Sequence, residues 1–333
     1  MIMVNPYWYT PSVAFIGILD THSGSVGAYS LRLLKASFSG NFSVRLLRVG
    51  SSVEVDVHFD YSPIIPVVSL NSVVSPAVGS TNALTLGEFI AAPGYINKDG
   101  LSTPASASVS IVYDQISNRN LSQSTPTAQP LIAQSGSLIT TNSHISMLFD
   151  GVNDMLRYQG SFYSCTDIST FSVYQMTGAS STTVFSFIES ASLTVQRRQS
   201  ANQTPTQVVV QKVYTGFTSP IGNGAFTSVE ACTVNRFAYD APTTRTFIYS
   251  NPTSTSASVN SGLVYQGNTV IPELFPTELL IGALRTNNPT TATSFFIGYF
   301  SEFIVFNGTD SFNMFASPAT KRNPITANIL SYY

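Results

Sequence analysis

Asp150 and Asp154 close the segment Met147-Leu148-Phe149-Asp150-Gly151-Val152-Asn153-Asp154. Two carboxylates set around a Gly turn carry the kind of oxygen ligands that a Ca²⁺ ion takes. Asp and Asn also bond their own backbone in strand-end turns, so the segment admits a second reading with no metal in it. Asp114 and Asn118, in Tyr113-Asp114-Gln115-Ile116-Ser117-Asn118, present the same pair of readings, a ligand-binding turn or a turn that satisfies itself. Glu302 lies among aromatic residues in Tyr299-Phe300-Ser301-Glu302-Phe303 and reads either as a charge guarding a sheet edge or as a contact to a sugar.

Other chemistries lack their residues. His22, His58 and His144 are isolated, with no pair at i, i+4 spacing, so no His-based metal site is expected. Cys165 and Cys232 are the only cysteines and stand outside any C-x-x-C spacing, which favours two free thiols over a disulfide in a reducing compartment. Nucleophile-elbow, phosphate-loop and dinucleotide fingerprints are all missing. A formal net charge of −2, with basic runs no longer than pairs such as Arg197-Arg198, argues against a nucleic-acid partner. Charged residues make up 10% of the chain, against roughly 25% in ordinary soluble domains. A surface that neutral suits a protein packed among neighbours. No window approaches ~18 apolar residues, so no membrane-spanning helix is expected. The first residues have no basic stretch or small-residue cleavage site, which argues against an ordinary signal peptide.

The elements that must position these residues are mostly strands. From Val109 onward the apolar runs are short and bounded by Gly, Pro, Asn, Ser or Thr, the pattern of an antiparallel sandwich or jelly roll. Phe42 to Val49 and Val53 to Phe59 flank Gly50-Ser51-Ser52 and read as a hairpin. Ala28, Leu31, Leu34 and Phe38 recur at helical spacing behind Ser25, which predicts a helix over 25–38. Residues 61–81 read as an irregular excursion and Thr85 to Ala91 as a short helix. The expected organisation is an N-terminal arm at 1–20 and a sandwich domain at 21–333, divided into a helix-and-hairpin elaboration (21–108) and a sandwich core (109–333). Tyr7, Trp8 and Tyr9, between Pro6 and Pro11, need an apolar surface and mark the arm as a candidate interface.

The order of several motifs resembles known proteins. Val109 to Pro130 contains Tyr-Asp-Gln, an Asn-rich turn and Gln-Pro, and Phe149-Asp150-Gly151-Val152-Asn153-Asp154 follows. This order resembles the catalytic domain of fungal α-L-arabinofuranosidase B. More fully, it resembles a module of bacteriophage tail-fibre and other virion proteins that leads into a concanavalin A-like sandwich. Ala28-Tyr29-Ser30-Leu31-Arg32, Gly298-Tyr299-Phe300-Ser301-Glu302-Phe303 and Asn328 to Tyr333 extend the similarity, which covers roughly residues 22 to 156 and 279 to 333.

The resemblance implies a concanavalin A-like β-sandwich and two different functions. In the enzymes, Glu189 is the nearest counterpart of the nucleophile. The catalytic Asp after the strand ending in Leu-Gly has no equivalent, because Ala283-Leu284-Arg285-Thr286-Asn287 follows Leu280-Ile281-Gly282. One missing carboxylate disables a two-carboxylate glycosidase. The expectation is therefore a non-enzymatic bacteriophage virion protein, a capsid decoration, tail or fibre component. Its partners would be other virion proteins, copies of itself and a host-surface glycan, and it would carry no cofactor unless Asp150 and Asp154 hold Ca²⁺. A glycoside hydrolase of the arabinofuranosidase type, or a free carbohydrate-binding module, is the alternative. Deleting residues 1–12 is expected to weaken incorporation into the assembly more than it lowers the melting temperature of the isolated protein, as particle incorporation and calorimetry would report.

Overall fold

Strands whose apolar side chains alternate with Ser, Thr and charged ones present two different faces, and this pattern produces most of the fold. The computed structural model describes residues 15–161 throughout. Beyond them it describes the backbone of the elements named below, with side chains at 170–175, 177, 183–188, 277–284, 292–306, 324–329 and 331–333. Tyr7, Trp8, Tyr9, Cys165 and Glu189 lie outside the described residues, as does the side chain of Cys232.

In chain order the main strands begin with β1 (Ser25–Ser30), β2 (Phe42–Arg48), β3 (Glu54–His58), β4 (Val74–Val78), β5 (Ala107–Val112), β6 (Leu121–Ser122), β7 (Leu131–Gln134), β8 (Met147–Asp150) and β9 (Leu156–Gln159). They continue with β10 (Ile168–Met176), β11 (Thr182–Ile188), β12 (Val195–Gln203), β13 (Thr206–Tyr214), β14 (Phe217–Ala225), β15 (Ala231–Phe237), β16 (Thr244–Pro252), β17 (Glu278–Ile281) and β18 (Ile297–Asn307). Helices are short: α1 (Ile18–Thr21), α2 (Leu86–Phe89) and α3 (Arg322–Tyr332).

Pairing among the described strands is antiparallel. One layer runs β4-β3-β2-β5-β6-β9-β17-β11-β12-β13-β14. The other is built on β18, which pairs with β10 along one edge and with β1 and β8, end to end, along the other. β15 and β16 extend it beyond β10, and β7 bridges the layers between β5 and β8.

The layers pack face to face. Val44, Leu46, Val55, Val57, Val109, Leu121, Leu156, Phe185 and Phe187 of the first share one buried cluster with Tyr29, Tyr174, Phe300, Phe303 and Val305 of the second. Phe185 and Phe303 meet across the interface with ring centroids 4.8 Å apart. The fold is thus mainly β, an antiparallel sandwich, as the short bounded runs led one to expect. On the far side of the second layer, Ala28, Phe171, Val173, Ile304 and Phe306 form another cluster with Leu19 of α1 and Ile325 and Ile329 of α3. β18 is therefore covered on both faces, which is why Phe303 to Phe306 form an unbroken apolar run.

The expected helix over 25–38 is a strand followed by extended chain, with only a 3₁₀ turn at Ala36–Phe38. Its apparent helical face is divided between clusters: Leu31 enters the inter-layer core, while Ala28 and Leu34 enter the one beneath α3. A chain buried on both sides places apolar residues at many spacings, and here the antiparallel pairing with β18 overrides the 3.6-residue period. Gly17 permits the close approach of α1, since a Cβ there would lie 2.0 Å from the Leu34 carbonyl oxygen. The hairpin forms as read, with Phe42 opposite His58 and Leu47 opposite Glu54. The short helix is α2, capped by the Thr85 hydroxyl on the Glu88 amide. The expected excursion at 61–81 contains β4. Strands from both sides of residue 108 share the same sheets, so the elaboration and the core interlock.

One ion pair ties the segment after β1 to β18 and α3. The Arg32 guanidinium donates to both oxygens of Glu302, at 2.7 Å from Nε and 3.0 Å from Nη2, and both side chains are at most 2% exposed. Its Nη1 donates to Asn328 Oδ1 at 2.8 Å, and its charge lies 4.6 Å from the Tyr332 ring centroid. Burial alone would lower the guanidinium pKa; the charge and hydrogen bonds of Glu302 overcome it and hold the group above its ordinary value. Glu302→Gln is expected to cost about 3–5 kcal/mol of unfolding free energy, because it leaves a buried cation without its counter-charge. Arg32→Met combined with Glu302→Leu should cost less than that single change, and chemical denaturation of the three proteins would measure the difference.

Candidate functional site

Most polar residues of the resembled motif serve the fold. Asp114 is buried at the end of β5, where its Oδ1 accepts the amides of Ala28 at 2.8 Å and Ile116 at 3.1 Å, locking the turn onto β1. Burial raises its pKa, while hydrogen bonds from Ser117, Ala28 and Ile116 act in the opposite direction. Gln115 accepts the Leu34 amide at 2.7 Å and donates to the Arg32 carbonyl at 2.8 Å. Gln129 donates to the Gln123 carbonyl and accepts from the Ser108 hydroxyl, both at 2.7 Å. Asn118 is exposed at the turn. Glu302 is neither an edge charge nor a sugar contact, because β18 lies inside its sheet and Arg32 occupies both carboxylate oxygens.

Asp150 and Asp154 are brought together after β8. Exposed Asp150 accepts the amides of Val152 at 2.7 Å and Asn153 at 3.2 Å, while buried Asp154 accepts the Asp150 amide at 2.9 Å. This is a turn that bonds its own backbone. Among the described residues, no group of three or more His, Cys, Asp or Glu side chains is arranged to hold a metal ion.

The sequence reading missed a groove of about 580 Å³ on the face of the first layer turned away from the core. β5, β6 and β9 form its floor. Their inward residues Val109, Val112, Leu121 and Leu156 fill the core; Ser122, Arg157 and Gln159 alternate with Leu121 and Leu156 and face outward, and the register shift at Ser110, between Val109 and Ile111, turns Ile111 to the same side. Ile111 stands opposite Ser122, and Ser122 opposite Arg157. Glu54 of β3 and Ser110, Asn120, Ser124 and Met155 complete the walls. Arg157 forms an ion pair with Glu278 of β17, and Glu54 is the carboxylate among the lining residues.

The volume falls in the range of small-molecule sites, roughly 300–1,000 Å³. Hydroxyl and amide groups beside the apolar surfaces of Ile111 and Met155 suit a ligand that is polar at its edges and apolar on its faces. No local motif marks this site. Its residues come from strands whose adjacency depends on long-range register, so only the alternation within β9 hinted at an outward polar face.

No protein-family model and no curated protein matches the chain. Among solved structures it is similar to a heptameric SAP-like pentraxin from Limulus polyphemus, with 11% identity and a TM-score of 0.36 over 50% of this chain and 78% of that one. It is also similar to domain 4 of AbnA, a GH43 extracellular arabinanase from Geobacillus stearothermophilus in complex with arabinotriose, with 12% identity and a TM-score of 0.34 over 53% of this chain and 79% of that one. Domains LG4-5 of the mouse laminin α1 chain match at 9% identity and a TM-score of 0.36, over 87% and 92% of the two chains.

Burial raises the Asp154 carboxyl to a pKa of about 6, with the Asp150 charge adding to the effect and the Asp150 amide opposing it. In the unfolded chain the group titrates near ~3.9. The folded protein therefore binds this proton more tightly, and stability should fall as pH rises from about 4 to about 6. Asp154→Asn keeps an acceptor for the Asp150 amide and removes the buried charge. It is expected to flatten that slope and raise the melting temperature at neutral pH, as thermal unfolding across the pH range would show.

Proposed function

We propose that the chain is a structural protein of a bacteriophage virion, a capsid decoration, tail or fibre component present in repeated copies, whose groove binds a glycan of the host surface. It has no glycosidase activity in this reading. The observation that carries the proposal is the division of labour among the polar residues. Arg32, Asp114, Gln115, Gln129 and Glu302 are engaged inside the fold, whereas hydroxyls, amides and apolar faces line the groove, with Glu54 as the carboxylate there. Two facing carboxyl groups about 5–5.5 Å apart are what a retaining glycosidase would need.

Low charge supports the assembly part of the reading. With charged residues at 10%, little repulsion keeps copies apart, and Ser, Thr and Asn side chains offer neutral hydrogen-bonding contacts. Identical chains in many copies satisfy one another's contacts through closed symmetry, and partners on a particle would be copies of the chain and other virion proteins. The motif order of the sequence supports the virion assignment over a free binding module.

Mass spectrometry of purified particles is expected to find the polypeptide, and the purified protein is expected to release no sugar from aryl-glycoside substrates. Turnover that disappears in Glu189→Gln would replace this reading with the hydrolase. Gln159→Ala and Glu54→Ala should each weaken glycan binding by about 2- to 10-fold, the size of one net hydrogen bond, and leave the melting temperature unchanged. Calorimetric titration with glycans from the host surface would measure both effects.

A further inference from the structure

The register of the first layer gives the groove a longer reach. We propose that it is one end of a track that crosses the strands from Arg157 to Ser75 and takes an uncharged, linear glycan of several sugars, an inference that rests on the glycan reading of the groove. Leu280 stands opposite Arg157, Arg157 opposite Ser122, Ser122 opposite Ile111, Ile111 opposite Arg45, Arg45 opposite Asp56, and Asp56 opposite Ser75. Residues paired directly across strands share a face, so these side chains form one row perpendicular to the strands. At ~4.8 Å per strand, the row from Ser75 to Arg157 spans roughly 24 Å. That length exceeds one or two sugar rings.

Its two ends differ. Beyond Arg157 the next member, Leu280, is buried, and it packs with Ile188 and Met155, so the row is closed there. At the other end it runs out onto β4, the outermost strand of the layer as described. A chain would thus lie with one end against the Met155 wall and the other leaving over β4.

Charge along the row selects the ligand class. Arg45 donates to Asp56 through two parallel bonds of 2.9 Å, the Tyr113 hydroxyl donates to Asp56 at 2.6 Å, and Arg157 is paired with Glu278; Asp56 is itself buried, so at β3 a ligand would meet the partly exposed Arg45 and Tyr113 side chains bonded to it. The two cations are therefore already matched by carboxylates, and Glu54 adds negative charge beside them. An anionic sugar would meet no unmatched cation and would lose its hydration, whereas neutral hydroxyls can bond to groups at the edges of these pairs. Phe42 flanks the row, with ring centroids 4.6 Å from His58 and 5.9 Å from Tyr113, and adds an apolar surface for the C–H face of a sugar.

The test is an array of linear neutral and acidic glycans from monosaccharide to octasaccharide, followed by titration of the hits. Neutral chains should bind, with affinity rising about 10-fold from disaccharide to tetrasaccharide. Ser75→Arg, a surface change at the far end of the row, should remove that gain while leaving disaccharide binding and the melting temperature unchanged. Equal affinity for disaccharide and tetrasaccharide, or a gain that survives Ser75→Arg, overturns the track and leaves the glycan reading of the groove standing. A preference for acidic chains overturns the neutral ligand class. Absence of binding to every glycan on the array overturns the track together with the glycan reading on which it rests.

Discussion

Burial of β18 on both of its faces is the constraint on which the rest of the structure depends. One face of the strand supplies Phe300, Phe303 and Val305 to the core between the layers, and the other supplies Ile304 and Phe306 to the cluster under α1 and α3. Glu302 lies in this strand, and a carboxylate so placed is tolerated only with a partner whose hydrogen bonds replace water. Arg32 is that partner, and its position requires the chain after β1 to run beside β18. The same guanidinium then reaches Asn328 and the Tyr332 ring, so α3 is held over the outer face by the group that neutralises Glu302. A buried ion pair of this kind adds little net stability and imposes one arrangement of the segments that meet at it.

The remaining buried polar side chains follow the same logic at smaller scale. Asp114 and Gln115 fasten the turn after β5 to the backbone of residues 28 to 34, and Gln129 fastens the turn before β7. Each satisfies backbone groups that irregular chain would otherwise bury unpaired. With these residues turned inward, the groove is left to the outward positions of β3, β5, β6 and β9, where Ser and Gln side chains, paired Arg157 and the carboxylate of Glu54 line it. The cations of this face are held by neighbouring carboxylates, Arg45 by Asp56 and Arg157 by Glu278.

What the sequence by itself determined is local. Short bounded apolar runs specified strands, Gly50-Ser51-Ser52 between alternating segments specified the β2–β3 hairpin, and the segment from Thr85 to Ala91 was legible as a short helix. Asp150 was legible as a turn residue because the amides it accepts are two and three positions away. Only the tertiary structure decided the rest. Whether residues 25–30 became helix or strand was settled by the β18 edge hundreds of residues later, against an apolar spacing that favoured a helix. Whether Glu302 guarded an edge or lay in the interior depended on having both β1 and β10 as neighbours. The groove exists because Ile111, Ser122 and Arg157 fall into register across three strands. Periodicity and turn chemistry act over a few residues and are written into adjacent positions, whereas register and burial are set by pairing between distant segments, which no single segment encodes.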